Sequence, residues 1–405
     1  MNKTYVVAGS GLAGLTVAES LRASGFDGAI TLLGAESCAP YHRPPLSKGF
    51  LLGTVSPGQL EMRPSGALEK KGIELLTDAH VVDIDRVHAH VLCADGRQFA
   101  YDGLALCTGA RARLLAVPGT ELAGVFTLRS KQGAQQIQAA LAVAQDVVVV
   151  GGGFIGLEAA ANMRLLGKRV TVLEATDRLM SRTASQAVSG YFGQVHKARG
   201  TEVRIGAVVA SIEGSNGRVT AVHTRDGGSF KADLVLVGIG VLPNDEIAAA
   251  SGLETLGGIL VDDAARTSDS AIVAAGDCAV RRMADGTHRR LESVHNAVEQ
   301  GRAAAASLLG KPAPKSAEPW FYSDQFDTKL RIVGQASGCD QTVVRGCVHS
   351  GMFSAFHFRQ GRLLSVESVN QQTEHMRLRK LFERQALPTP EQAADPHFEF
   401  EAALA

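Results

Sequence analysis

Two glycine-rich turns constrain this chain more than any other feature. Residues 9–14 read GSGLAG and residues 151–156 read GGGFIG. Each follows a short apolar run, at 4–8 and 147–150, that reads as a buried strand. Each opens an apolar, helix-like segment that runs to a glycine, Gly25 or Gly167, ahead of another strand-like run. In such a turn the first glycine makes the sharp bend and the second lets backbone N–H groups approach a pyrophosphate. The third lets helix and strand pack closely, so that the phosphates rest on the helix N-terminus. Gly9, Gly11 and Gly14, with Leu12 and Ala13, are the candidate cradle of one dinucleotide; Gly151, Gly153 and Gly156, with Phe154 and Ile155, are that of a second. One such turn also occurs as a plain structural corner. Two, each continuing into strand and acid, predict two dinucleotides on one chain, with electrons passing between them.

The length of 405 residues predicts two or three domains. A formal net charge of zero gives no global attraction to nucleic acid or to an anionic membrane. No run of eighteen uncharged apolar residues occurs, so no spanning helix is expected. The strand-like run begins at Thr4, which leaves no room for a cleavable signal, and a cytoplasmic location is expected. The six cysteines, at 38, 93, 107, 278, 339 and 347, form no CxxC and no metal-ligand spacing; they read as free thiols in a reducing compartment, and no metal site is expected.

An acid at the end of the second strand of each unit accepts hydrogen bonds from adenosine ribose hydroxyls. In the first unit the strand covers 30–33 and Glu36 follows; a solvated loop carboxylate is an equal reading of that residue. In the second, the strand 169–173 ends directly at Glu174. A carboxylate there repels the extra phosphate of NADP and favours NAD, with Arg178 as the one complication. The runs 104–109 (LALCTG) and 234–244 (LVLVGIGVLPN) read as strands ending in glycine turns that close each nucleotide-binding sheet, placing Thr108, Gly109 and Gly240 at those turns. The two short strands that follow, before Gly276 and Asp277, are better used completing the first sheet, so the second unit is inserted in the first. A Pro-rich linker at 310–319 precedes alternating strands at 330–333, 342–348, 353–358 and 363–369, which predict a small antiparallel sheet, and then a helix near 374–385. The expected fold is therefore α/β: two Rossmann-type domains, the first discontinuous, plus a C-terminal α+β domain. The boundaries are 1–113 and 243–318 for the first domain, 114–242 for the second and 319–405 for the third.

At this point the residues resemble a family. YHRPPLSK at 41–48, GGGFIGLE, Gly276-Asp277, LESVHNAVEQG from Leu291 and PWFYSDQFD from Pro319 are similar, in the same order, to NADH-dependent ferredoxin reductases with a glutathione-reductase-like fold. RGCVHSGMFSAF, SVESVN and PTPEQAAD point within them to the putidaredoxin-reductase and rhodocoxin-reductase group, which feeds cytochrome P-450 monooxygenases. The resemblance implies an FAD-containing oxidoreductase taking electrons from NAD(H) to a 2Fe-2S ferredoxin. The reductase component of a Rieske ring-hydroxylating dioxygenase is the runner-up. An NADH oxidase or peroxide reductase wants a flavin-facing cysteine, and Cys38 is not placed for it. A redox-sensing flavoprotein wants basic surface and targeting segments.

The resemblance also implies roles. Lys48 lies by the flavin and pairs with Glu158 in the first turn of the second fingerprint helix, where a plain helix-terminal acid is the alternative. Pro44 and Pro45 make a stiff wall beside the ring. Arg43 contacts FAD phosphate, Asp277 the ribitol, and the helix starting at Ser293 and Val294 points its positive end at the flavin; His295 there is structural. Tyr322 stands where the family commonly has Trp. Arg302, Lys329, Arg331, Arg377, Arg379 and Lys380 are candidates for docking an acidic ferredoxin, each also readable as solvated surface charge.

Overall fold

The computed structural model describes residues 3–283 and 285–400. The chain divides into two compact units, each assembled from three separate stretches. The first is Met1–His42, Pro57–Arg111 and Val241–Ala317; the second is Arg43–Ser56, Ala112–Gly240 and Glu318–Ala405. The last five residues of the expected C-terminal domain lie outside the described ones.

In the first unit Thr4–Ala8 pairs in parallel with Ala29–Leu33 on one side and Gly103–Leu106 on the other. Ile73–Leu76 and Ile272–Ala274 extend the sheet to five strands. The inner strands are apolar at nearly every position because both faces are covered. One face carries helix Leu12–Ala23, packed against helix Val294–Leu308. Gly301 makes that approach possible: a Cβ there would meet the Ala13 carbonyl oxygen at 3.0 Å.

The second unit repeats the arrangement with Asp146–Val150 flanked by Arg169–Glu174 and Leu234–Val237, all parallel. Glu202–Ile205 and Val125–Thr127 form its edges. The runs expected to close the sheets are thus interior strands. Their outer partners, Ile272–Ala274 and Val125–Thr127, are three-residue strands, too short to show a period.

Also in the second unit, five antiparallel strands form the C-terminal sheet, in the order Trp320–Gln325, Thr328–Gly334, Arg362–Val369, Met352–Arg359 and Gln341–Cys347. The first of these was not expected from the sequence. Helix Gln372–Arg384 covers the sheet with Leu378, Leu381 and Phe382 against Phe356, Phe358 and Val366. Among the described residues no helix is long and apolar enough to cross a membrane.

Candidate functional site

Both glycine turns are cradles that a side chain would fill. Gly9 has φ +114°, and a Cβ on it would lie 2.1 Å from the Cys107 carbonyl oxygen. A Cβ on Gly14 would lie 1.9 Å from the oxygen of Gly9, whereas at Gly11 nothing stands within 4 Å. Gly11 caps helix Leu12–Ala23 without any side-chain hydrogen bond, which leaves the first-turn N–H groups free for an anion. The second turn repeats each point. Gly151 has φ +106° and faces Gly238, Gly156 would clash with Gly151, and Gly153 is open and caps helix Phe154–Leu165 with no side-chain partner. Ile155 on that first turn is 46% exposed, an apolar surface that a nucleotide can cover.

The first unit gathers further groups around its cradle. A Cβ on Gly276, which has φ +87°, would meet Ala13 Cβ at 2.9 Å, so the turn carrying Asp277 lies against the fingerprint helix. Gln300 fixes that turn by accepting from Gly276 N–H at 2.8 Å. Ser293 caps helix Val294–Leu308. Thr108 donates to the Asn244 carbonyl at 2.6 Å and Asn244 donates back at 2.9 Å, which locks the Thr108-Gly109 turn. Glu36 is half-buried and accepts from Tyr41 at 2.7 Å. These features fit FAD: an open phosphate cradle, an acid beyond the second strand, and a polar turn beside a helix N-terminus.

In the second unit Glu174 accepts from Gly152 N–H at 2.6 Å and from Thr176 N–H at 2.7 Å. Its carboxylate is therefore held at the cradle. Arg178 is committed elsewhere, donating to the carbonyls of Ala184 and Ser181 and to Ser189. It does not offer a free fork to a 2′-phosphate. A cavity of about 420 Å³ opens beside this loop, lined by Asp177, Gln186 and Ile205. Gly240 has φ +99°, and a Cβ there would crowd Arg182 at 3.1 Å.

Pro44 and Pro45 start a short 3₁₀ turn, Pro44–Ser47, that buries Leu46 and Ser47. Lys48 follows, and its Nζ lies 2.9 Å from Glu158 Oε1. Glu158 is the fifth residue of its helix and is buried, not a first-turn acid as the sequence led us to expect. The helix dipole fades beyond the first turn, so what holds this carboxylate is local donors. They are Lys48, Ser47 at 2.6 Å and Ser323 at 2.8 Å. Ser47 and Ser323 were not singled out in the sequence, although both sit inside quoted motifs. Tyr322 lies under Lys48 Nζ, 4.9 Å from its ring centroid, and burial with the nearby Glu158 charge pushes its hydroxyl pKa up. Arg43 donates to the Arg129 carbonyl at 2.7 Å.

Of the basic candidates, Lys329, Arg377 and Lys380 are exposed. Arg302 pairs with Glu299 at 3.2 Å, Arg331 with Asp324 at 2.8 Å, and Arg379 stacks over Trp320. The six cysteines are free thiols; Cys107 and Cys278 are buried, and burial pushes both their pKa values up. No cluster among the described residues could hold a metal ion.

Two nucleotide cradles, one with a buried lysine–carboxylate pair on its helix, define a dinucleotide-dependent oxidoreductase. The chain matches the family described as pyridine nucleotide-disulphide oxidoreductase over residues 3–301 and a reductase C-terminal family over 320–404, and it belongs to the pyridine nucleotide-disulphide oxidoreductases. It is an FAD-dependent NADH oxidoreductase. It is 45% identical over 403 residues to rhodocoxin reductase of Rhodococcus erythropolis, covering 99% of this chain and 94% of that protein. It is 40% identical to putidaredoxin reductase of Pseudomonas putida, covering 92% and 90%. A solved ferredoxin reductase from Rhodopseudomonas palustris superposes with a TM-score of 0.96 at 43% identity, with both chains fully covered.

Proposed function

We propose that this enzyme passes electrons from NADH through FAD to a small 2Fe-2S ferredoxin serving a cytochrome P-450-type monooxygenase. The observation that carries this reading is the full-length likeness, C-terminal sheet included, to reductases named for small redox proteins. Bound FAD supplies the exchange between a two-electron donor and one-electron acceptors. In this proposal the cradle at Gly9, Gly11 and Gly14, with Glu36, Arg43, Thr108, Gly109 and Asp277, holds the flavin nucleotide. The helix end at Ser293 and Val294 stabilises negative charge on the reduced ring. The cradle at Gly151, Gly153 and Gly156, with Glu174 and Gly240, holds NADH. Lys48 sets a fixed positive charge toward the flavin, Glu158 keeps it in place, and Pro45 and Tyr322 wall the ring. Little acid–base chemistry is required, which agrees with a site built from one ion pair and hydroxyls rather than a nucleophile and base.

We assign 1–113 and 243–318 to FAD, 114–242 to NADH and 319–405 to ferredoxin docking, with Arg302, Lys329, Arg331, Arg377, Arg379 and Lys380 as the candidate contacts. The test is NADH-dependent reduction of cytochrome c with and without added 2Fe-2S ferredoxin. A rate that needs the ferredoxin supports the proposal; a rate indifferent to it refutes it. Reconstitution with a P-450 or with a Rieske oxygenase then decides the terminal partner.

A further inference from the structure

Glu158 stands at the end of a buried hydrogen-bond chain that the proposed function does not use. Ser323, Gln325 and His196, all 0% exposed, make up the rest of that chain. Ser323 Oγ lies 2.8 Å from Glu158 Oε1, Gln325 Nε2 lies 3.2 Å from Ser323 Oγ, and His196 Nε2 lies 3.0 Å from Gln325 Oε1.

We infer that Ser323, Gln325 and His196 are positioning residues acting through Glu158 on Lys48, in a chain whose direction is dictated from the Lys48 end. An ionised carboxylate only accepts, so Ser323 commits its one proton to Glu158. The Ser323 oxygen can then only accept from Gln325, which fixes the amide with its NH₂ toward serine. The Gln325 carbonyl consequently faces His196, and the imidazole must carry its hydrogen on Nε2. Nδ1 is left bare, toward the Thr201 hydroxyl at 3.4 Å. Burial lowers the His196 pKa, which keeps the ring neutral and in this tautomer. Ser47 anchors the other carboxylate oxygen at 2.6 Å, and Asn162 donates to the Ser47 carbonyl at 2.6 Å, so Glu158 cannot rotate to follow a mobile lysine. Lys48 pairs with Glu158, and the Glu158 charge also reaches Tyr322, whose pKa it helps to raise. The ammonium is placed by the carboxylate, and the carboxylate by the chain behind it.

The inference rests on the proposal that Lys48 sets the charge felt by the flavin, and two measurements separate the claims. In holoenzyme labelled with ¹⁵N-histidine, long-range ¹H–¹⁵N NMR, assigned with His196→Asn, should show His196 neutral with hydrogen on Nε2 at pH 7. An Nδ1–H tautomer or an imidazolium overturns the chain's direction and the inference with it. Redox titration of the bound flavin should show Ser323→Ala shifting the midpoint potential in the same sense as Lys48→Met, with bleaching by NADH slowed about tenfold, the effect of one charge-assisted hydrogen bond. Ser323→Thr, which keeps the hydroxyl, should restore both. If Ser323→Ala does not fold, Gln325→Met is read in the same titration with the same expectation. A shifted potential in Lys48→Met beside an unshifted one in the chain variants refutes positioning and leaves the proposed function intact. No shift in Lys48→Met refutes both.

Discussion

The Lys48–Glu158 pair makes a quantitative prediction. At 2.9 Å and an effective dielectric constant of about 20, the bare attraction is roughly 6 kcal/mol. Desolvation offsets most of this, since the two side chains are only 20% and 5% exposed. A one-sided deletion, Lys48→Met, leaves a buried carboxylate with two hydroxyl donors. That falls at the low end of the range for breaking a buried pair, about 3 kcal/mol. Glu158→Gln should cost about 1–2 kcal/mol, because the amide still meets Ser47 and Ser323 and the lysine can reach water. The double variant should cost less than the sum, with a coupling energy of about 2 kcal/mol. The assay is urea unfolding of the wild type, both single variants and the double variant, with FAD held at one saturating concentration so that linkage to the cofactor is constant. In a thermal scan, Lys48→Met should lower Tm by roughly 3–4 °C for the 405-residue chain. A coupling below about 0.5 kcal/mol, the value of an exposed pair, would refute the claim that burial makes this pair strong.

Three other outcomes are expected. Gly14→Ala places a Cβ 1.9 Å from the Gly9 oxygen and should yield protein that retains no FAD, checked by the absorbance of purified material. Glu174→Ala should raise KM for NADH about tenfold without giving useful activity with NADPH, because Arg178 stays tied to Ala184, Ser181 and Ser189; kcat/KM with each nucleotide checks this. His375 is buried on helix Gln372–Arg384, and burial with the Arg379 and Arg331 charges lowers its pKa from 6.5 to about 4. The unfolded chain therefore binds that proton first as pH falls. The stabilisation is complete above pH 6.5 and is lost progressively toward pH 4, by roughly 3 kcal/mol at most. Across that range the unfolding midpoint of the wild type should fall relative to that of His375→Leu, which lacks the titrating group, as the pH drops.

The cradles were legible because everything they need is local: strand, glycines and helix within some twenty residues, with Glu174 at a strand end. The insertion was legible too, since Ile272–Ala274 does join the first sheet. What sequence could not deliver depends on partners far apart along the chain. Ser47 and Ser323 meet on Glu158 from positions 111 and 165 residues away, and no periodicity announces that. The dipole reading of Glu158 failed for a local reason: its helix starts at Phe154, so the acid falls past the first turn. The strand Trp320–Gln325 was passed over because its buried residues are Ser323 and Gln325, polar side chains turned inward to serve a network, which inverts the usual alternation.

The chain alternates between its two units, three stretches to each. Neither unit is complete until late in synthesis: the second lacks Ser323 and Gln325 until the last quarter of the polypeptide is made. At about 5–20 residues per second, early segments wait tens of seconds with unsatisfied sheet edges. Such a protein should lean on chaperones during translation and should not be divisible into working halves by truncation. A nascent chain arrested at residue 240 should be protease-sensitive, and one released at full length resistant.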